Sequence, residues 1–372
     1  ESPFYVRQKL EIGLMWDDLI PQWLKYILIF FLILYMYGAM CLKYVAGSES
    51  LVQGISATIY NDRFKLNDEV GFDTYYIALF IFAAISIYFS FGNIENSKVL
   101  QMITSILRFV VTFLMIIGSI ISLFHSDGGF PNSTKEVFKI DFDHLNGLFG
   151  GTIFIFIWHH SISGIIYPVR PQKNVKPMFF WSFIIGSMTL ILEGFLAMLA
   201  FSHISNNECG TFPCKIQDLY NLNFLGLPVI GQICNFYPML NVAAVPILTI
   251  TLRNNLLQLF GFETRGEVTK MKKGLWSIGL SIPVIAITLF YRDPQQMLTY
   301  TGGFTWTAIM LLIPTIFVQG ARKLNLEDVY DKRNFNRSPF YHPFFPYVIY
   351  VFSAITIGVI LWGIITGKGG GH

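Results

Sequence analysis

The sequence predicts an all-α fold, a polytopic bundle of about nine membrane-spanning helices, and three observations carry that prediction. Hydrophobic residues make up 53% of the chain and charged residues only 13%, where a soluble domain carries about 25%. Mean hydropathy is +0.52. Apolar runs of about 20 residues, the length that crosses a hydrocarbon core as a helix, recur along the chain between short polar stretches. The 36 Phe and 18 Tyr point the same way.

Residues 1–25 form an interfacial N-terminal segment. From Gln8 to Trp23, Leu10, Ile12, Leu14, Met15, Leu19 and Ile20 alternate with Glu11, Asp17 and Asp18, the pattern of a helix lying on the membrane surface. Pro21 then redirects the backbone. Residues 26–367 form a single transmembrane bundle, and residues 368–372 a Gly-rich tail. The first span runs over Tyr26–Leu42, between Lys25 and Lys43, whose long stems reach the two interfaces. A loop rich in Asn and Asp leads to a second span over Tyr75–Phe91. The third, Val99–Phe124, carries an internal cation, Arg108. The fourth, Gly147–Tyr167, has a polar centre at Trp158, His159, His160, Ser161 and Ser163 beside Gly164. Prolines at 168, 171 and 177 interrupt the basic connection that follows. The fifth span, Phe179–Phe201, embeds an acid, Glu193. The sixth, Val229–Thr251, contains Pro238 and Pro246, which predict a kink or local unwinding. It ends at Leu252-Arg253-Asn254-Asn255, where polar side chains can take up the freed terminal carbonyls. The seventh covers Leu275–Phe290, the eighth Leu298–Val318 with Gly302-Gly303 and Pro314, and the ninth Tyr347–Ile365.

Nine spans place the termini on opposite sides. Lys and Arg are roughly twice as abundant on the N-terminal side, which marks that side as cytoplasmic or matrix. The opposite side then holds the sequon Asn132-Ser133-Thr134 and the loop Cys209-Gly-Thr-Phe-Pro-Cys214. That loop closes a small disulfide ring if its compartment is oxidising and stays reduced if not. Cys41 and Cys234 lie in apolar runs and read as inert packing residues. No cleavable signal sequence is expected, since the first long apolar run starts only at Tyr26.

Polar groups at mid-depth find no water in lipid, so they face protein or a wet cavity. For the fourth span this leaves two readings: a broken helix that contacts a solute at the membrane midplane, or a bundle-facing helix whose histidines and serines bond to neighbours. His159 and His160 are adjacent and point about 100° apart on a helix, which makes a poor metal pair. Arg108 and Glu193 each cost about 2.5–3.5 kcal/mol or more at the bilayer centre, relieved by each other, by a carbonyl or by water. Glu193 is a packing partner, a proton-coupling group or an interfacial carboxylate. The chain shows no nucleophile–base pair, phosphate loop, dinucleotide fingerprint or zinc spacing, so neither an enzyme nor a resident cofactor is expected. A net charge of +3 without basic–aromatic interleaving excludes nucleic acid as a partner.

Several stretches together are similar to one family. They are Leu10-Glu11-Ile12-Gly13-Leu14-Met15; Leu100-Gln101-Met102-Ile103-Thr104-Ser105-Ile106-Leu107-Arg108; and Gly147-Leu148-Phe149-Gly150 through His160-Ser161 to Pro168-Val169. Leu219-Tyr220-Asn221-Leu222-Asn223-Phe224, Thr251-Leu252-Arg253-Asn254-Asn255 and Arg337-Ser338-Pro339-Phe340 follow in the same order. In these the chain resembles the transmembrane protein 104 family, a branch of the amino-acid/auxin permease group with a leucine-transporter-type fold of the APC superfamily. The resemblance implies eleven spans, of which the nine here match the third to the eleventh. The fourth span then becomes a broken, substrate-contacting helix, with Trp158, His159, His160, Ser161 and Ser163 binding the solute. The ion-coupling candidates are Glu193, from its embedded charge, and Thr249, with Thr251 as its alternative, as a hydroxyl near the stretch where related permeases hold an ion. Where related permeases carry Ser, Thr or Asn, this chain has Val242-Ala243-Ala244, which offer no side-chain oxygen to a cation.

Two functions follow as expectations. One is secondary active transport of an amino acid or similar small solute, with the first two family helices supplied elsewhere, in an endomembrane, lysosomal or plasma membrane. The other is a transport-inactive, transporter-derived accessory subunit of a larger membrane complex, for example in the mitochondrial inner membrane. The lipid bilayer is a partner in both; a solute is the partner in the first and other membrane subunits in the second.

Overall fold

The computed structural model describes residues 19–60, 62–92, 98–125, 128–131, 166–167, 169–207, 209–217, 219–260, 269–294, 297, 305, 307–324 and 340–366. These residues form an all-α membrane protein. Its helices are α1 (Gln22–Tyr60), α2 (Lys65–Val70), α3 (Tyr75–Ser90), α4 (Lys98–Leu123) and α5 (Val175–Phe201). They are followed by α6 (Ile230–Asn235), α7 (Ala244–Leu259), α8 (Lys270–Phe290), α9 (Ile313–Lys323) and α10 (Phe344–Ile365). Short 3-10 turns occupy Gln172–Asn174, Tyr220–Phe224 and Pro238–Ala243, and a π-helical turn occupies Ala308–Leu312. Among the described residues six segments are long and apolar enough to cross a membrane, and Tyr75–Ser90 is a shorter apolar helix. Residues 147–165 of the expected fourth span and all of the interfacial segment before residue 19 lie outside the described residues. Of the expected eighth span only residues 305 and 307–318 are described.

The first span is much longer than its apolar run suggests. α1 continues through Lys43 for 39 residues in all, about 58 Å at 1.5 Å per residue, well beyond a hydrocarbon core of about 30 Å. The apolar run to Leu42 is thus only part of a longer helix. The helix persists because its second half swaps bulk for small residues that let neighbours approach closely. Gly47, Ser48, Ser50, Gly54 and Ser56 are all buried. The Phe82 ring of α3 packs on Gly47, and a Cβ at Gly54 would meet the Phe236 ring at 3.0 Å.

Around α1 lies the main core. Leu32, Met36, Met40 and Tyr44 pack with Leu79 and Phe82 of α3, Leu248 and Leu252 of α7, and Val284 of α8. A second core joins α4 and α5 to the 3-10 turn through Val111, Met115, Phe201 and Phe224. Thr104, Arg108, Val111, Met115, Gly118, Ser119 and Ser122 recur at three- and four-residue spacing on α4, and all but Arg108 are buried. The opposite face, with Met102, Ile106, Phe109 and Phe113, is exposed and suited to lipid.

Two other boundaries move. The fifth span starts at Val175 with Pro177 inside its first turn, where a missing N–H costs no hydrogen bond. The sixth does not stop at Leu252; α7 runs to Leu259. Arg253, expected to serve its own helix end, instead caps α3. It is fully buried and donates to the carbonyls of Ser90 (2.8 Å) and Gly92 (2.9 Å) and to Ser277 Oγ (3.1 Å). A cation over carbonyls freed at a helix C-terminus also answers the helix dipole there.

Candidate functional site

The sixth expected span is broken, and the break is written in its prolines. Pro238 has no N–H to continue α6, and Pro246 none to bond back from the first turn of α7. Between them the hydrogen bonding tightens. Met239 N–H donates to Phe236 O at 3.2 Å, and Ala244 N–H to Asn241 O. Both bonds span three residues, so Asn235 O and Leu240 O lose the partners an α-helix would have provided. Neighbouring helices fill these openings. Ser50 Oγ of α1 donates to Asn235 O, and Arg108 Nη2 of α4 donates to Leu240 O at 2.9 Å. The side-chain oxygen of Asn235, itself 1% exposed, has no partner among the described residues.

Embedded polar groups converge on this break. Arg108 belongs to the bundle-facing row of α4, so its charge points away from lipid. Glu193 stands four residues before buried Ala197 and seven before buried Ala200 on α5, on the face turned to α4. Its carboxylate is in electrostatic reach of Tyr220, Cys234 and Tyr237. Arg108 is in reach of Tyr237 from the other side. Tyr220 shares a 2.5 Å hydrogen bond with Ser119 of α4, and its ring stands edge-on to Phe224 at 5.1 Å. Of the two ion-coupling candidates, Glu193 therefore lies beside the break. Thr249 lies one turn into α7, its hydroxyl 3.0 Å from Val245 O and 3.3 Å from Met40 Sδ. Trp158, His159, His160, Ser161 and Ser163 lie outside the described residues.

Sequence reasoning missed Ser50 and Tyr237 at the break. Ser50 read as loop because it follows Lys43 and a polar run, and nothing local marks it as the donor to a backbone 185 residues away. Tyr220 had a signal, since it sits in one of the family-like stretches.

The start of α3 and the end of α8 are clamped together. Arg292 pairs with Asp73 and lies over the rings of Tyr75 (4.2 Å) and Tyr76 (4.6 Å). Partial burial works against its charge, but the hydrogen bond and charge of Asp73 with the two tyrosines outweigh it, holding the guanidinium above its ordinary pKa. Cys209 and Cys214 form a disulfide with Cα atoms 5.1 Å apart, so the closed ring is the alternative adopted. Cys41 and Cys234 are free and buried, as inert packing residues should be. Among the described residues no group of three or more His, Cys, Asp or Glu side chains is placed to hold a metal.

A helical bundle of apolar spans, with charges turned inward onto a broken helix, defines a multi-pass integral membrane protein. No protein-family model matches the chain. It is 28% identical to a transmembrane protein 104 homolog of Dictyostelium discoideum, over 97% of this chain and 72% of that protein. Transmembrane protein 104 of Homo sapiens is 25% identical over 97% of this chain and 75% of its own length. A homolog of that name from Caenorhabditis elegans is 21% identical over 99% and 81%. Similarity at this level along nearly the whole chain supports the transmembrane protein 104 family.

Proposed function

We propose that the chain is a transporter-type protein of the transmembrane protein 104 family, with a leucine-transporter-type fold, that moves an amino acid or similar small solute by secondary active transport. The observation that carries this reading is the broken span 230–259 inside the bundle, flanked by Arg108 and Glu193. A discontinuous helix with inward charges is the arrangement by which transporters build a midplane site. Glu193 carries the coupled proton, and Thr249 is the second coupling residue. The polar centre from Trp158 to Ser163 contacts the solute from the fourth span. A cell-surface or endomembrane location fits this activity.

A second reading has its own observation. Ser50 and Arg108 already occupy both freed carbonyls, which is what a transport-inactive accessory subunit of a membrane complex needs from an inherited break. Uptake separates the two. The full chain in proteoliposomes with an inward proton gradient is offered a mixture of radiolabelled L-amino acids. Accumulation above empty vesicles, lost in Glu193→Gln, supports transport. Absence of uptake by the wild-type protein, with co-purifying membrane subunits from native membranes, supports the accessory role.

A further inference from the structure

We propose that the exposed face of α8 is a docking site for an anionic phospholipid, with the headgroup phosphate at Lys272 and an acyl chain in the groove below it. The groove is open and apolar, about 370 Å³ in volume, and lined by Leu275, Trp276, Gly279 and Leu280. Gly279 creates the space, since a Cβ built there would meet nothing within 4 Å. The flanks are firmer. Leu280 is buried in the main core, and the Trp276 ring stands 6.2 Å from that of Phe260, just past the end of α7.

The helix period places a cation directly over this space. At about 100° per residue, all four lining residues fall within about 80° of Lys272 around α8. Lys272 is exposed and has no ion pair among the described residues, and no acid lies in the first turn of α8. Gly279, Pro283 and Ala286 continue the same stripe, all exposed, at about 10, 16 and 21 Å from Lys272 along the axis. That reach spans one leaflet of a hydrocarbon core about 30 Å thick. Trp276 at the top of the stripe suits the headgroup level, where a lysine stem extends toward the phosphate. α8 also starts on the side where the sequence concentrates Lys and Arg, the side whose leaflet holds anionic lipid. A phospholipid supplies both complements in one molecule, an anion for Lys272 and a flexible chain for the space beside Gly279. The site stands whether or not the chain transports a solute.

The test uses the full chain in phosphatidylcholine nanodiscs. A set fraction of the lipid carries brominated acyl chains, either as phosphatidylglycerol or as phosphatidylcholine. Bromine quenches tryptophan fluorescence on contact, and the Trp276 signal is the difference between the wild-type protein and Trp276→Phe. Brominated phosphatidylglycerol is expected to quench that signal with an apparent affinity about fivefold above phosphatidylcholine, the contribution of one lysine near the surface. Lys272→Gln is expected to remove the preference, whereas Lys270→Gln, about 160° away around the helix, keeps it. Gly279→Leu fills the groove where there is room for the side chain, and is expected to displace both lipids from Trp276. Equal quenching by the two lipids in the wild-type protein overturns the proposal and leaves an annular lipid only, whether or not the variants fold. Absence of quenching at Trp276 also overturns it, because protein then covers the groove. A preference that survives Lys272→Gln or Gly279→Leu, or that is lost equally in Lys270→Gln, does the same.

Discussion

Three arginines show how far one residue type can diverge in role. Arg253 is sealed among Ser90 O, Gly92 O and Ser277 Oγ, so its loss strands buried acceptors. Arg253→Gln is expected to cost about 2–3 kcal/mol, read from the shift in an SDS-titration unfolding curve. Arg253→Lys should recover little, because a point-like ammonium cannot span two carbonyls as a planar fork does. A shift below about 0.5 kcal/mol for the Gln variant would refute the cap. Arg292 is different, because its pair with Asp73 is part-exposed, with side chains 29% and 36% accessible. Asp73→Asn is expected to cost less than about 1 kcal/mol. Arg292→Gln should cost more, since it also forfeits two ring contacts worth roughly 0.5–1 kcal/mol each. A double-mutant cycle in which Asp73→Asn proves the costlier change would reject this order. In the sequence all three are arginines near apolar runs; only their backbone and acidic partners tell them apart, Leu240 for Arg108 at 132 residues, Ser90 and Gly92 for Arg253 at 163 and 161, and Asp73 for Arg292 at 219.

Helices were legible where composition alone decides them. α3, α4, α8 and α10 begin and end within a few residues of their apolar runs, because lipid contact demands that hydrophobic length. α1 and the broken span were not legible to the same extent. Pro238 and Pro246 announced an interruption, but its geometry depends on Ser50 and Arg108 reaching across from other helices. Ser50→Ala leaves Asn235 O without its donor and is expected to destabilise by about 1–3 kcal/mol; wild-type stability in this variant would mean that water serves the carbonyl equally well. Close approach is equally specific to the fold. A Cβ at Gly118 would stand 2.6 Å from the Phe224 ring, so Gly118→Val should cost about 1–3 kcal/mol by overpacking the α4 core. An unchanged unfolding midpoint would show that Phe224 swings aside freely.

At the scale of the molecule, the connections sort into two layers. Arg63 Nη1, after the first expected span, donates to Gln217 Oε1, after the fifth, at 3.4 Å. Arg292, after the seventh, pairs with Asp73, after the first. His125, after the third, stands 5.8 Å from Phe212 in the disulfide loop. Gly92, after the second, meets Arg253 at the other end. Loops after odd-numbered spans thus share one face, as alternate crossing requires. In sealed vesicles, Gln217→Cys and Asp293→Cys are expected to react with an impermeant maleimide from one side and Lys270→Cys from the other. Labelling of all three from the same side would break the topology. The native cysteines provide an independent check. Cys209 and Cys214 should label only after reduction, and Cys41 and Cys234 only after SDS unfolding, because both free thiols are buried. Opening the six-residue disulfide ring is expected to cost roughly 2 kcal/mol by loop entropy.

By itself the sequence determined that this chain is helical and membrane-embedded, which runs are apolar, where the sixth span breaks, and that Arg108 and Glu193 need relief from lipid. Each of these follows from local chemistry: apolar length, a missing proline N–H, the cost of burying a charge. Only the tertiary structure decided that α1 runs on to Tyr60, that Arg253 closes a different helix, and that Arg108 takes Leu240 O as its partner. Those choices rest on contacts between residues far apart in the chain, and a buried polar group is satisfied by whatever the fold brings beside it.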